Sequence, residues 1–481
     1  MDITEVAPAT ALRRWEDLPG PRGLPLLGNA LQVRALRFHQ QLEQWARDFG
    51  PLYKLRLNER RLLVVGDHEQ VAAVLRDRPE GFRRTSKMER IWVEMGLPIG
   101  VFGAHGETWA RQRRMVMAGF DPAHVRRYYP AMQRVAANLG ARWQAAARAG
   151  RAIDLQADLM RYTVDTIAGL AFGEQVNTLQ SDEDVIQRHL DKIFPALFRR
   201  ILSPIPLWRW HRSAADRELE AAIVEVKAAV AGFIAQARAR MQAQPQRREH
   251  PENLLEAMIA AADAEGSGID DEGVAGNVLT MLLAGEDTTA NTLAWMTALL
   301  WRHPETLARA AAEVRGLIVE GAPITQEQLG RLDYLEACAH ETMRLKPVAP
   351  VLPLQSLHEI TVGDVRIPAD TVVICLLRRD SVSDAHMGAH AGRFEPQRWL
   401  LGEESVAARA HAAKRIAMPF GAGPRICPGR YLALLEIKLA MATLLSRFEI
   451  AAVDTPDGAE PQERLAFTMA PLGLTMRLRE R

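Results

Sequence analysis

Three cysteines among 481 residues cannot build a disulfide framework, and so small a number suits a reducing compartment. No apolar run approaches the roughly 20 residues that a membrane helix needs. The N-terminal stretch MDITEVAPATALRRWEDLPGPRGLPLLGN carries acids early and lacks the apolar centre of a signal peptide. A soluble, cytoplasmic protein with no integral membrane anchor is therefore expected. Charge of one sign is lacking as well: 60 basic residues face 59 acidic ones, a formal net charge of +1. That balance speaks against a nucleic-acid partner unless basic residues cluster locally. The 13 histidines show no metal-ligand spacing, and neither G-x-G-x-x-G nor a phosphate-binding loop occurs. What remains is an ordinary globular composition, 48% hydrophobic and 25% charged, with arginine supplying most of the positive charge.

LPGPRGLPLLGN predicts an irregular, proline-stiffened arm over residues 1–30, and residues 31–481 read as one domain. An amphipathic segment (37–48) stops at Gly50-Pro51, and YKLRLNERRLLVVGD alternates around Asn58-Glu59 like a β-hairpin. From Gly106 to about residue 240 helical patterns dominate, and QAQPQRREHPEN (242–253) reads as a surface loop. Asp270 is placed to cap a helix that continues to Arg302, ~48 Å at 1.5 Å per residue and apolar nearly all round. A further helix covers LDYLEACAHETMRL, and ITVGDVRIPADTVVICLL reads as short strands. The fold class is mostly α with a small β region and a long central helix.

One of the three cysteines sits in FGAGPRICPGR (420–430). Pro428 suits the first position of a helix, where a missing N–H costs nothing, so Cys427 is expected at the positive end of GRYLALLEIKLAMATLL. There, backbone N–H groups and the helix dipole favour thiolate over thiol. Gly421 and Gly423 permit a tight turn and the close approach of something flat, and Arg425 could bind an anionic group on it. A lone cysteine near a turn is commonly a small core residue. The five fixed positions of F-x-x-G-x-R-x-C-x-G argue for more.

At these residues the chain resembles the cytochrome P-450 family of haem-thiolate monooxygenases: Phe420, Gly423, Arg425, Cys427 and Gly429 match its haem loop. The resemblance implies the single-domain fold of that family, with the long central helix over a b-type haem (iron protoporphyrin IX). It further implies Cys427 as the metal ligand, Phe420 shielding its sulfur, and Arg425 near a propionate. A thiolate ligand pushes electron density through iron and favours O–O cleavage. Glu341 and Arg344 form E-x-x-R on one helix face, which in the family joins an arginine matched by Arg398; the family's preceding glutamate is Gln397 here. Ala284-Gly285-Glu286-Asp287-Thr288-Thr289 matches the family's O2-groove signature. Thr288, able to bond back to the carbonyl of Ala284, and Asp287 would form an alcohol–acid pair that delivers protons; Thr289 and Glu286 are weaker candidates. Trp109 and Arg113 share a helix face and become propionate ligands by the same resemblance. The family's further propionate arginine has no counterpart in VLPLQSLHE. Cys338 and Cys375 read as core residues.

The function implied is insertion of one atom of O2 into a lipophilic small molecule. Two electrons would come from a ferredoxin or flavodoxin with its reductase, and a monomer is expected. A peroxide-driven peroxygenase and a haem-thiolate sensor or carrier are the alternatives; the proton-delivery residues weigh against both. Pocket walls fall to residues 86–104, 194–208, Leu283-Ala284, Val348 to Leu352 and Met469 to Leu472, mainly apolar segments. Arg111, Arg113 and Arg114 cluster on one helix, and Lys414, Arg415 and Arg430 flank the cysteine loop; with Arg113 occupied by a propionate, the others are expected to form a basic docking face for the donor.

Overall fold

The computed structural model describes residues 12–120, 122–173, 177–180, 185–319, 321–400 and 404–481; the first eleven residues of the expected arm lie outside that set. The rest of the arm is pinned to the body by directed bonds. Trp15 Nε1 donates to Leu62 O (2.9 Å), Arg13 pairs with Asp364, and Asn29 Oδ1 accepts from the Arg56 amide (3.0 Å). Arg13–Arg14 even adds a short parallel strand beside Val365–Ile367.

The amphipathic segment forms a helix over Phe38–Phe49, and Gly50, at φ 92°, turns the chain into the hairpin. Strands Leu52–Leu57 and Arg60–Val65 pair with Leu57 opposite Arg60, Asn58 adopting φ 54° in the turn. They lead a five-stranded sheet that continues through Val372–Leu376, Val351–Ser356 and Phe82–Arg84. Val372–Leu376 is buried at every residue, which explains why it reads as a continuous apolar run without alternation.

Everything else is built around the helix Asp271–Arg302. Asp270 caps it, accepting from the Gly273 amide at 2.8 Å, as the sequence indicates. It packs most extensively on Leu155–Ile167, and also on Asp333–Leu345 and Arg430–Arg447. Gly276 makes one crossing possible: a Cβ there would lie 2.7 Å from the backbone of Ile99. The segment 98–104 is thereby pressed against the central helix, and Asn277 Oδ1 holds it through the Val101 amide at 2.9 Å. Residues 242–253, expected as loop, contain a short 3-10 turn at Pro245–Arg248. Among the described residues no helix is long and apolar enough to cross a membrane.

Glu341 and Arg344 are fully buried on Asp333–Leu345. Arg344 donates to both carboxylate oxygens (2.7 and 2.6 Å), Arg398 Nε to Oε1 (3.3 Å), Trp399 Nε1 to Oε2 (2.8 Å), and the Glu395 amide to Oε1 (2.9 Å). Arg344 also bonds the carbonyls of Ser381, Ala391 and Arg393. The expected three-charge network is present. Where Gln397 departs from the usual acid, Glu395 takes its place, meeting Arg398 at 2.8 Å.

Candidate active site

The cysteine loop is folded back on itself before any helix begins. Gly421 and Gly423 both have positive φ (76° and 71°), and a Cβ on Gly423 would lie 2.6 Å from the carbonyl oxygen of Leu75. That position demands glycine on two grounds. The Cys427 amide donates to Phe420 O (2.9 Å), so Phe420 is tied to the cysteine through backbone. This bond holds residues 427–429 in a turn, and the helix starts at Arg430 with Gly429 as its cap. Pro428 is therefore not its first residue, which corrects the expectation. The sulfur is supported by the Gly429 N–H in particular, with Arg113 and Arg430 close by; burial is the stronger influence and pushes the free thiol up.

Arg113 and Arg425 flank the loop differently. Arg113 Nη2 donates to Ile426 O at 2.8 Å, beside the sulfur, on the helix Gly106–Gly119. Arg425 Nη2 donates to Ala104 O (2.6 Å), and its guanidinium lies over the Trp109 ring, 4.6 Å from the centroid. Its Nε has no partner, and burial next to Arg78 and Arg113 pushes its pKa down to about 9.

Two further cations meet there that the sequence did not single out. Arg78 is 3% exposed, and burial brings it down to about 10. Arg84 lies over the Phe102 ring at 4.0 Å and is held well below its ordinary value by burial, then by Arg78 and Arg425. Both have an unpartnered Nε, and no described carboxylate pairs with Arg78, Arg84 or Arg425. Strand register accounts for Arg84: it lies opposite Leu354 in the sheet. The neighbouring strand thus places an arginine beside VLPLQSLHE, which has none of its own. Three guanidiniums stripped of water, with no protein anion, fit a group that carries two carboxylates.

Over the loop's helix, the middle of the central helix is shaped by close contacts. A Cβ on Gly285 would lie 2.6 Å from Ile167 Cδ1, and Ala284 is exposed despite its central position. Thr288 Oγ1 donates to Ala284 O at 2.7 Å, the expected back-bond. Asp287 does not meet Thr288. Its Oδ1 accepts from Asn291 (2.6 Å), its Oδ2 accepts from Thr468, and burial raises its pKa. Successive helical residues point about 100° apart at 3.6 residues per turn, so acid and alcohol diverge. The weaker candidate Thr289 bonds Glu436, nine positions beyond Cys427, and this ties the central helix to the cysteine helix. Glu286 is buried, and its carbonyl accepts from Thr163. Phe102 and Phe194 both contact Phe467 (6.1 and 4.3 Å between centroids), and the Met469 amide bonds Val348 O. The expected wall segments therefore converge beside Asp287.

On the opposite face Arg114, Lys414, Arg415 and Arg430 are exposed. Arg111 differs from expectation: Glu107 neutralises it, so it adds little positive field. Cys338 and Cys375 are fully buried and apolar in setting.

Residues 18–477 match the family described as cytochrome P450, and the chain belongs to that family, whose cofactor is haem (iron protoporphyrin IX). Among curated proteins it is similar to a self-sufficient cytochrome P450 monooxygenase, CYP505E4, of Penicillium freii, at 28% identity. That match takes in 97% of this chain and 43% of the relative. Another, CYP505E3 of Phanerodontia chrysosporium, is 28% identical over 94% of this chain and 42% of its own length. A bifunctional cytochrome P450/NADPH–P450 reductase of Aspergillus oryzae is also 28% identical, over 96% and 42%. The chain thus spans less than half the length of these relatives.

Proposed function

We propose that this chain is the oxygenase unit of a monooxygenase that inserts one atom of O2 into a lipophilic small molecule, with electrons supplied by a protein donor. The observation that supports it most directly is the pairing of one turn-held sulfur, Cys427, with buried guanidiniums that have no protein carboxylate. Cys427 would ligate the iron, and Arg425, Arg84, Arg78 and Trp109 would hold the propionates. Arg113 holds the sulfur loop through Ile426 O, and its remaining N–H groups would donate to a propionate. When bound, the haem supplies the iron at which O2 is reduced and cleaved.

The chain's own residues do the rest. Thr288 holds a hydroxyl at the loosened turn above the loop, and its proton is donated toward the reacting oxygen when the bond to Ala284 opens. Asp287, kept protonated more readily by burial, holds a proton one residue from Thr288 while Thr468 and Asn291 fix its carboxyl. The aromatic wall of Phe102, Phe194 and Phe467 excludes water from the reacting carbon. Electrons would enter at the exposed face of Arg114, Lys414, Arg415 and Arg430. The relatives are named as self-sufficient or as reductase fusions, and for this chain the donor would be a protein or fused domain with a complementary acidic face.

The test is spectroscopic. The purified protein should carry b-type haem whose reduced carbon monoxide adduct has the strongly red-shifted band of thiolate ligation. Cys427→His should lose that band; its survival would remove Cys427 from the iron.

A further inference from the structure

The histidines show no metal-ligand spacing along the chain, yet folding brings two of them to one carboxylate. His68 opens the helix His68–Arg76, Asp380 opens the turn Asp380–Val382, and His386 lies on the short helix Asp384–Met387. His68 and Asp380 are 312 residues apart in sequence, so no local pattern marks them. Among the described residues this is the one group of three histidine, cysteine or acidic side chains close enough to share a cation. Each offers one ligand atom, and the three atoms lie within 4.8 Å of one another.

The carboxylate is held in place by its neighbours. Asp380 is 2% exposed; its Oδ2 accepts from the His68 amide (2.8 Å) and faces His68 Nδ1 (2.9 Å). Arg379 donates to Oδ1, and an outer partner of that kind orients a ligating carboxylate. His386 Nδ1 stands 3.8 Å from Oδ1, and the two imidazoles meet edge to face with 5.1 Å between centroids. Neither ring nitrogen of His386 makes a hydrogen bond to a described residue, and the side chain is 32% exposed. Ligand atoms on a zinc ion, with bonds of about 2.0–2.1 Å, lie roughly 3.3 Å apart. Closing the widest gap therefore takes about 1.5 Å of movement, which the exposed His386 can supply. Two imidazoles and a carboxylate suit a borderline cation such as Zn2+ better than Ca2+ or Mg2+, which take oxygen ligands. Three protein ligands leave a fourth position for water on the exposed side of His386.

The place of this group in the fold gives an ion there a consequence. Helix His68–Arg76 ends against the cysteine loop, where Gly423 must lack a Cβ to clear Leu75 O. Next to Asp380, the carbonyl of Ser381 accepts from the Arg344 guanidinium, and its Oγ donates to Arg344 O (3.2 Å). We propose that His68, Asp380 and His386 form a surface site for a divalent transition-metal ion of the zinc class. The bound ion staples the helix behind the sulfur loop to the segment that anchors the buried charge network.

Calorimetric titration of the chelator-treated, haem-loaded protein with zinc chloride tests the site without turnover. One equivalent should bind, more tightly than calcium does, and His386→Ala should weaken it at least tenfold. That residue is exposed, so its replacement does not put folding in question. His68→Asn, which keeps a donor for Asp380, should weaken zinc by a similar factor. His358→Ala, at an exposed histidine outside the group, should leave the affinity unchanged. The staple is read from the rate of haem transfer to an acceptor protein, which bound zinc should slow at least twofold in the unmodified chain and not in His386→Ala. Absence of one-equivalent binding, or equal affinity in the unmodified chain and His386→Ala, would overturn the site and leave a plain imidazole–carboxylate pair. Calcium bound as tightly as zinc would overturn the assignment of the cation. Haem transfer at one rate with and without zinc would overturn the staple.

Discussion

Glu341→Ala is the substitution whose effect follows most directly from the geometry. Two oxygens of a side chain with no exposure accept five hydrogen bonds, two from Arg344 and one each from Arg398, Trp399 and the Glu395 amide. Alanine leaves Arg344 buried with only carbonyl partners, and removing one member of a buried pair costs about 3–5 kcal/mol. Glu341→Gln keeps the volume but turns one end of the group into a donor facing donors, so about 1.5–3 kcal/mol is expected. Glu395→Ala is the control. That side chain is 39% exposed and makes one ion pair with Arg398, so its loss should cost less than about 1 kcal/mol. Urea midpoints multiplied by a common slope give the three values, with retained haem per chain as a second readout. The ranking Ala > Gln > Glu395→Ala is the prediction. A Glu341→Ala protein within 1 kcal/mol of the unmodified chain, or a Glu395→Ala protein as damaged, would refute the buried network.

Glu436 is buried with an unpartnered Oε1 and one bond from Thr289, and burial raises its pKa far above the ordinary range. The folded state then keeps a proton that the unfolded state releases, so stability falls as pH rises from the usual carboxylate value toward the folded one. Glu436→Gln should flatten that decline, gaining on the unmodified protein in urea titrations at neutral and alkaline pH but not at pH 4; parallel curves would contradict it. Gly423→Ala should displace the cysteine loop from Leu75, lowering haem retention with little change in helix content by circular dichroism; full retention would show that the loop tolerates the shift. Thr288→Ala should keep haem and substrate binding but divert electrons to peroxide or water, so coupling equal to the unmodified enzyme would remove the hydroxyl from proton delivery. Arg114→Glu should slow the first electron transfer and weaken its salt dependence; a rate and salt slope equal to those of the unmodified protein would place the docking face elsewhere.

The central helix and the sulfur loop are legible in sequence because each depends on neighbours along the chain. Asp270 caps locally, the apolar span sets the length, and the loop's glycines and cysteine lie within a few residues of one another. The start of the cysteine helix differs from the sequence expectation because a local preference lost to a bond across the loop: Pro428 suits a first turn, yet the Cys427 amide is committed to Phe420 O. Arg78 and Arg84 were not legible at all. Arginine is the commonest cation here, so nothing in DRPEGFRRT marks two of them as buried. Arg84 becomes special only when the strand Phe82–Arg84 takes its register against Val351–Ser356, a pairing across some 270 residues. Asp287 likewise looks like the partner of its neighbour until a turn near the C-terminus brings Thr468 to it.

Basic residues gather in separate groups on a chain with a net charge of +1, and depth distinguishes the two around the cysteine loop. Arg78 is buried, and Arg84 and Arg425 each bury an unpartnered Nε; a charge that has lost water needs a counter-charge that stays, which suits a resident cofactor. Arg114, Lys414, Arg415 and Arg430 are solvated, where an ion pair contributes at most about 1 kcal/mol and salt screens it within ~8 Å. Contacts that weak steer a partner and release it, as repeated electron delivery requires. A cation that has lost its water thus suits a partner kept for the protein's lifetime, and a solvated one suits a partner kept for an encounter.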